Sequence, residues 1–395
     1  MGEETIPFFA DEIKDTMQGI IKVVGVGGGG CNAVRNMYNE GVAGVTYAVC
    51  NTDSQSLSRS PVPFKVLLGK SGLGAGGNPE MGRSEAETNI NDFVKLFSDG
   101  TKMTFVTAGM GGGTGTGAAP VIAKCAKECG MLTVGIVTIP FKFEMRPKIK
   151  QALKGVREMS QYVDALLVIS NEKLLEIYPD KSVATGFLHV DETLTTATKS
   201  IAELITCRGI INLDFRDVNK VLKNGGVAIM STGIAKGENR VNQAFDAALK
   251  SPLLYNNDIH KAKKILFNIY QSTQTDHQLM LDEMNEVRHF MDKFEDKNIE
   301  VIWGLANDDT LTDEVKITVL ATGFGMDNLP LMDDEEVVDT VIEGLYGDRV
   351  DKRQLYLYEM TDADLDNDAL IDAIEASPTY LRNTVGLSEL KALRA

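Results

Sequence analysis

Gly109-Met-Gly-Gly-Gly-Thr-Gly-Thr-Gly117 decides how this chain is read. It follows Met103-Thr-Phe-Val-Thr-Ala108, which has the character of a buried strand, and precedes Val121-Ile-Ala-Lys-Cys-Ala-Lys-Glu128, which has helical spacing. A strand that breaks into glycines and re-forms as a helix leaves amide N–H groups unpaired at the helix start, where the positive end of the helix dipole also lies. Glycine lets the backbone approach phosphate oxygens and adopt the positive-φ turns of a concave nest. The stretch therefore predicts an anion cradle lined by Gly109, Gly111, Gly112, Gly113, Thr114 and Gly115, with Thr116 as a further hydroxyl. A flexible linker is the bland alternative, and an apolar strand and helix on either side argue against it.

The same arrangement occurs earlier. Ile20-Ile-Lys-Val-Val-Gly-Val26 reads as a strand and runs into Gly27-Gly-Gly-Gly-Cys-Asn-Ala-Val34 and a helix through Tyr38. Gly25, Gly27 and Gly30 with Asp53 also fit the dinucleotide fingerprint G-x-G-x-x-G plus an acidic residue about 20 positions on. A third loop, Gly72-Leu-Gly-Ala-Gly-Gly-Asn-Pro-Glu80, precedes a polar helix, and it contributes Gly76 and Gly77. Gly69-Lys70-Ser71 is not the end of a P-loop, because Phe64 stands where the first glycine is required. Strands Leu132 to Ile139 and Ala165 to Ser170 alternate with helices, so a parallel sheet is expected, with ligands at the carboxyl ends of its strands.

With 395 residues, two domains are expected. No segment approaches 18 consecutive apolar residues, and the first 16 are acidic without an apolar run, so neither membrane insertion nor export is expected. The five cysteines are odd in number and scattered, which suits free thiols. A net charge of -16 disfavours nucleic acid. Most of it belongs to one segment: 326–376 holds 16 acidic residues against 3 basic ones.

A long helix is predicted from Phe187 to Cys207, followed by an acidic loop with Asn212, Asp214 and Asp217 that lacks the Gly and Glu of a calcium-binding EF-hand. From Gly225 a smaller α/β domain is expected: strands Val227 to Ser231, Ile299 to Ala306 and Lys316 to Thr322, with helices Val241 to Leu249, His260 to Ile269 and Leu279 to Phe294. Trp303 is expected in its core. The organisation is then an arm (1–19), a nucleotide-binding domain (20–186), a central helix with the acidic loop (187–224), a second α/β domain (225–323) and an acidic tail (324–395). Near the tail's end, Pro378 to Asn383 carries an aromatic residue, a leucine and an arginine, the makings of a peptide that docks on partners.

In their order and spacing, the three glycine loops, Asn51-Thr-Asp53, Pro140-Phe-Lys-Phe-Glu144 and Asn212-x-Asp-x-x-Asp217 resemble the FtsZ family, the tubulin-like GTPases of bacterial cell division, over roughly residues 20–323. The resemblance implies the tubulin/FtsZ fold and GTP or GDP with Mg2+, with K+ as a candidate assisting ion. It implies phosphate contacts from Gly27, Gly28, Gly29 and Asn32 and from the second glycine loop, ribose contact from Glu144, base contact from Asn171, stacking by Phe187, and an Asp191 that accepts from the guanine N1–H and amino group. Where the family has Gly and Arg after Pro-Phe-x-Phe-Glu, this chain has Met145 and Lys148, with Arg146 two residues earlier. Either cation could serve the phosphates. The family also implies a head-to-tail homopolymer in a mid-cell ring at the inner face of the membrane, tethered by an adaptor of the FtsA type that binds the terminal peptide.

Helix geometry bears on the chemistry. If Asp191 meets the base, Asp214 lies roughly 30–35 Å away at about 1.5 Å per residue, out of reach of the same nucleotide. The acidic loop is thus expected to complete the site of the next subunit. Two other readings compete: an NAD oxidoreductase that uses Asp53, which leaves the second and third glycine loops unexplained, and a non-hydrolysing relative, which would dispense with the acidic loop.

Overall fold

Strands β1 (Ile21–Val26), β2 (Val45–Asn51), β3 (Phe64–Leu67), β4 (Met103–Gly109), β5 (Leu132–Ile139) and β6 (Ala165–Ser170) are all parallel and lie in the order β3-β2-β1-β4-β5-β6. β1 and β5 are buried along their whole length, which is why these strands read as continuous apolar runs rather than as alternation. The order runs one way from β1 to β3 and the other way from β4 to β6, so β1 and β4 flank the switch point of the sheet. Ligands bind at the carboxyl end of such a point. Both of the first two glycine turns begin there.

The computed structural model describes residues 19–42, 44–177, 182–206, 209–250, 259–294, 299–324, 358, 360, 367–377 and 384–393. Among them one sheet of 11 strands extends past β6 through β8 (Gly226–Lys236), β11 (Glu314–Phe324), β9 (Lys264–Gln271), β10 (Glu300–Asn307) and β7 (Gly209–Ile211). β8 joins β6 in parallel through Ala165↔Gly226, Leu166↔Val227 and Leu167↔Ala228, and then pairs antiparallel with β11. The α/β class and the parallel arrangement of β1 to β6 are as expected. The helix expected from His260 to Ile269 is not found: Lys264–Gln271 is the strand β9, paired with both β10 and β11. Its residues are buried on both faces, so the alternation that marks a strand is erased.

The helix α8 (Val183–Thr206) is the strut of the molecule. Leu194, Ile201 and Leu204 are buried at 0–2% exposure in one core with α1 (Gly27–Glu40) and the strands above it. Burying each is worth about 1.5–3 kcal/mol, enough to hold the helix as a rigid spacer. A second core lies under α10 (Arg240–Leu249) and α11 (Met284–Asp292). Trp303 packs against it as expected, its ring 6.2 Å from that of Phe267.

The chain divides into two compact units, 1–341 and 342–395. In the second, α12 (Asp368–Ala376) is capped by Asn367, whose side chain accepts from the Leu370 N–H and donates to the Leu393 carbonyl, and α13 (Thr384–Ala392) follows. The docking peptide from Pro378 to Asn383 and the N-terminal arm up to residue 18 lie outside the described residues.

Candidate nucleotide site

The two glycine turns sit side by side because their glycines have no side chains. A Cβ on Gly27 would lie 2.9 Å from the Gly115 amide nitrogen, one on Gly30 2.2 Å from the Thr107 carbonyl oxygen, and one on Gly115 2.4 Å from the Gly109 carbonyl oxygen. The third loop is held as closely, since a Cβ on Gly113 would come within 2.8 Å of the Asn78 nitrogen. By contrast, a Cβ on Gly28, Gly76, Gly77 or Gly112 would meet nothing within 4 Å. The glycines thus divide into those that let three backbones touch and those that face open space. The open ones leave bare main chain beside the turns, with room for a ligand to approach it.

Two helices begin at these turns, α1 at Gly27 and α5 (Gly113–Glu128), and their starts touch where Gly27 meets Gly115. Neither has a side-chain cap or an acidic residue in its first turn. Some other helices are capped, α2 (Ser54–Ser58) by Asp53 and α3 (Pro79–Thr88) by Asn78, while α10 and α11 are uncapped as well; what sets α1 and α5 apart is that their starts meet. Helices that leave their first amides unpaired at a common point form an anion site. Asp53, the acidic residue of the dinucleotide reading, spends its carboxylate on the Gln55 N–H.

The threonines hold the loop. The Thr114 hydroxyl pairs with that of Thr52 at 2.7 Å, and Thr116 accepts from the Gly111 N–H at 2.8 Å. Thr116 is 4% exposed and serves the turn itself rather than presenting a hydroxyl to a ligand.

A different set of residues gathers at the far side of α1. Phe141, Leu174 and Val190 form a small buried cluster that ties the loop after β5 to α7 (Asn171–Ile177) and α8. Around it lie Glu144, Asn171, Phe187 and Asp191, all expected at the ribose and base. Phe187 meets Phe141 edge-on at 5.2 Å and remains 42% exposed, leaving ring surface for stacking. Asn171 is buried, and its Oδ1 has no hydrogen-bond partner among the described residues. An orphaned buried acceptor is costly, and a ligand N–H would satisfy it. Asp191 is buried beside the Asn32 side chain, and burial pushes its carboxyl up to about 7 against the pull of Arg35 and Asn32. The arrangement pairs acceptors with an aromatic face, as a guanine base requires.

Of the two candidate cations, Lys148 is held by Glu144 at 2.5 Å, on the helix α6 (Arg146–Tyr162). Met145 explains why glycine is usual at its position: its backbone lies at φ 75°, ψ 153°, a region essentially reserved for glycine. Met145 is 68% exposed, so little packing opposes relief of that strain. Met145→Gly is expected to stabilise the chain by about 1 kcal/mol, the remainder of a strain of 1–3 kcal/mol after the extra backbone entropy of glycine. A urea midpoint equal to or below that of the parent would refute this.

Asn212, Asp214 and Asp217 are brought together, but not with the glycine turns. Asn212 accepts from the Gly209 N–H at 2.7 Å, while Asp214 and Asp217 form a reciprocal capping box on α9 (Phe215–Leu222). α8 ends at Thr206, before the acidic loop, so its axis carries the chain about 22 Å beyond Asp191 rather than the full 30–35 Å. That is still beyond the reach of a side chain.

One neighbour of these loops escaped sequence reading, Gln151, while Thr52 was noticed only as part of Asn51-Thr-Asp53. Gln151 donates to three loop carbonyls, and nothing in its local sequence signals this.

Comparison with known proteins bears on the whole chain. Residues 20–179 match the Tubulin/FtsZ family, GTPase domain, 226–325 the FtsZ family, C-terminal domain, and 351–395 the FtsZ, C-terminal model. The cell division protein FtsZ of Porphyromonas gingivalis is 48% identical over 95% of this chain and 88% of its own length. The chain belongs to the FtsZ family. The cell division protein FtsZ of Wigglesworthia glossinidia brevipalpis is 43% identical over 81% of this chain and 83% of its own. Among solved structures, the empty FtsZ dimer of M. jannaschii superposes with a TM-score of 0.71 at 39% identity, covering 79% of this chain and 90% of that one. The glycine loops and acidic loop described here are therefore those of an FtsZ-family member.

Proposed function

We infer that this chain is a GTPase that assembles head-to-tail into filaments and acts in bacterial cell division. The observation that carries the reading is the meeting of two uncapped helix starts at the switch point of the sheet, with Asp191 beside Asn32 of α1 and Phe187 near Phe141. Main-chain amides and helix dipoles hold the phosphates, while Asp191, Asn171 and Phe187 select guanine. Glu144 and Lys148 close over the sugar and phosphates between them. Residues 20–186 form the nucleotide-binding domain and 225–323 the second domain, with α8 and the acidic loop between.

Hydrolysis requires a second copy. Asp214 and Asp217, on the acidic loop of the neighbouring subunit, orient the attacking water against the terminal phosphate. Each spends one carboxylate oxygen in the cap, Asp214 Oδ1 and Asp217 Oδ2, and has the other for water or a cation. These residues fit Mg2+ carried on phosphate oxygens, where the ion would neutralise developing charge. Exposed apolar residues flank both half-sites: Leu73 at 89% exposure beside the third glycine loop, and Ile210 at 60% beside the acidic loop. A heterologous contact of this kind propagates into a filament rather than closing.

The tail's terminal peptide serves as the docking site for a membrane-tethering adaptor, which places the filament at a mid-cell ring. Among the described residues no helix is long and apolar enough to cross a membrane.

The deciding experiment follows phosphate release per subunit against protein concentration. It is expected to rise steeply above an assembly threshold and to approach zero for the dilute monomer. Constant turnover per subunit down to concentrations at which the protein sediments as a monomer would overturn the shared-site mechanism.

A further inference from the structure

We propose that Gln151 is a positioning residue for the terminal phosphate, its side-chain amide clasping together the two loops that close around that end of the nucleotide. The proposal rests on the GTP reading above. Gln151 Nε2 lies 3.1 Å from the Gly77 carbonyl oxygen, 2.9 Å from that of Gly111 and 3.3 Å from that of Gly112. One side chain thus bridges the third glycine loop and the second.

The place of this clasp follows from the order of the elements. Asp191 on α8 adjoins Asn32 on α1, the start of α1 adjoins Gly115 on α5, and Gly113 at the start of α5 adjoins Asn78. A nucleotide with its base at Asp191 therefore extends its last phosphate toward Gly76, Gly77 and Gly112, the open glycines furthest along this series. Gln151 acts from behind that wall.

The chemistry calls for an amide. Three carbonyl dipoles converge on one point, and without a donor there they repel one another. A neutral NH2 group offers two protons to the three oxygens, one of them shared. The reach of Gln151 is fixed by close packing behind it: a Cβ on Gly155 would lie 2.5 Å from Thr116 Cγ2, and one on Gly111 3.1 Å from Lys148 Cγ. α6 thereby sets the gap between the loops. GDP, which lacks the terminal phosphate, does not depend on that gap to the same degree.

The test compares three variants of the full chain, with GTP and GDP affinities measured separately. Gln151→Met keeps the shape and removes the donor; it is expected to weaken GTP about tenfold, the worth of one to two net hydrogen bonds, with GDP within about twofold of the parent. Gln151→Glu places a carboxylate against three carbonyls and should weaken GTP further. Gln151→Lys restores a donor to the same oxygens and should recover GTP affinity to within about threefold of the parent. Equal GTP affinity in Gln151→Met and the parent overturns the proposal, as does an equal loss of GTP and GDP, which would mark mere loosening. If Gln151→Met fails to fold, a Gln151→Lys variant that loses GTP tenfold while binding GDP normally also overturns it. Failure of the parent itself to bind GTP would instead refute the GTP reading, and it is seen before any variant is made.

Discussion

Asp214→Asn is expected to bind GTP within about twofold of the parent and to lose turnover by roughly 100-fold or more, the scale of a misplaced or missing general base. The choice of asparagine matters. Asp214 caps α9 through the Arg216 and Asp217 N–H groups, and asparagine is as good a cap as aspartate. Asp214→Ala would add a cap loss of about 1 kcal/mol to the chemical loss and confuse the two. With Asn the fold is kept and only the charge is removed. Phosphate release would be measured above the assembly threshold, with filament mass followed by sedimentation. Turnover near that of the parent would remove Asp214 from the chemistry, and a tenfold loss of GTP affinity would place the acidic loop in its own subunit's site.

Only the catalytic half of that role was read from the sequence, through the family resemblance; the cap emerges from the structure. Asp214-Phe-Arg-Asp217 has the three-residue offset of a capping box as well as the composition of a catalytic loop. The glycine turns were legible because they are local: a strand, a break and a helix start occupy adjacent positions. Which glycines face open space was not, because it depends on what lies opposite. Gly28 and Gly27 are neighbours in sequence, yet one meets open space and the other the Gly115 backbone. β9 was misread since burial on both faces removes the period that separates strand from helix. Gln151 was invisible for a related reason, its partners being 74 and 40 residues away in sequence and main-chain atoms in both cases. Backbone carbonyls leave no side-chain pattern to find.

GTP affinity should depend on pH through Asp191. Burial pushes its carboxyl up to about 7, with Arg35 and Asn32 pulling it down and Glu192 adding to the rise. Guanine presents donors at N1–H and the 2-amino group, so only the carboxylate form can accept both. GTP affinity is therefore expected to be flat above the folded-state value and to fall about tenfold per pH unit below it. The stability of the ligand-free chain runs the other way. The folded state holds this proton more tightly than the unfolded state, whose aspartate titrates at about 3.9, so the contribution of Asp191 to stability declines as pH rises between those two values. A bound guanine would add two donors to the stabilisation that Asn32 and Arg35 already give this charge. Removing the group in Asp191→Ala should weaken GTP by roughly 100-fold or more, as two hydrogen bonds to a charged acceptor are lost, and abolish preference over ATP. Asp191→Asn is the decisive control, because the γ-phosphate of GTP titrates nearby: the variant cannot change charge, so whatever pH dependence it retains belongs to the nucleotide. An identical pH slope in the parent and in Asp191→Asn would show that Asp191 stays ionised across this range, and parental GTP affinity in Asp191→Ala would show that it does not carry the recognition of the base.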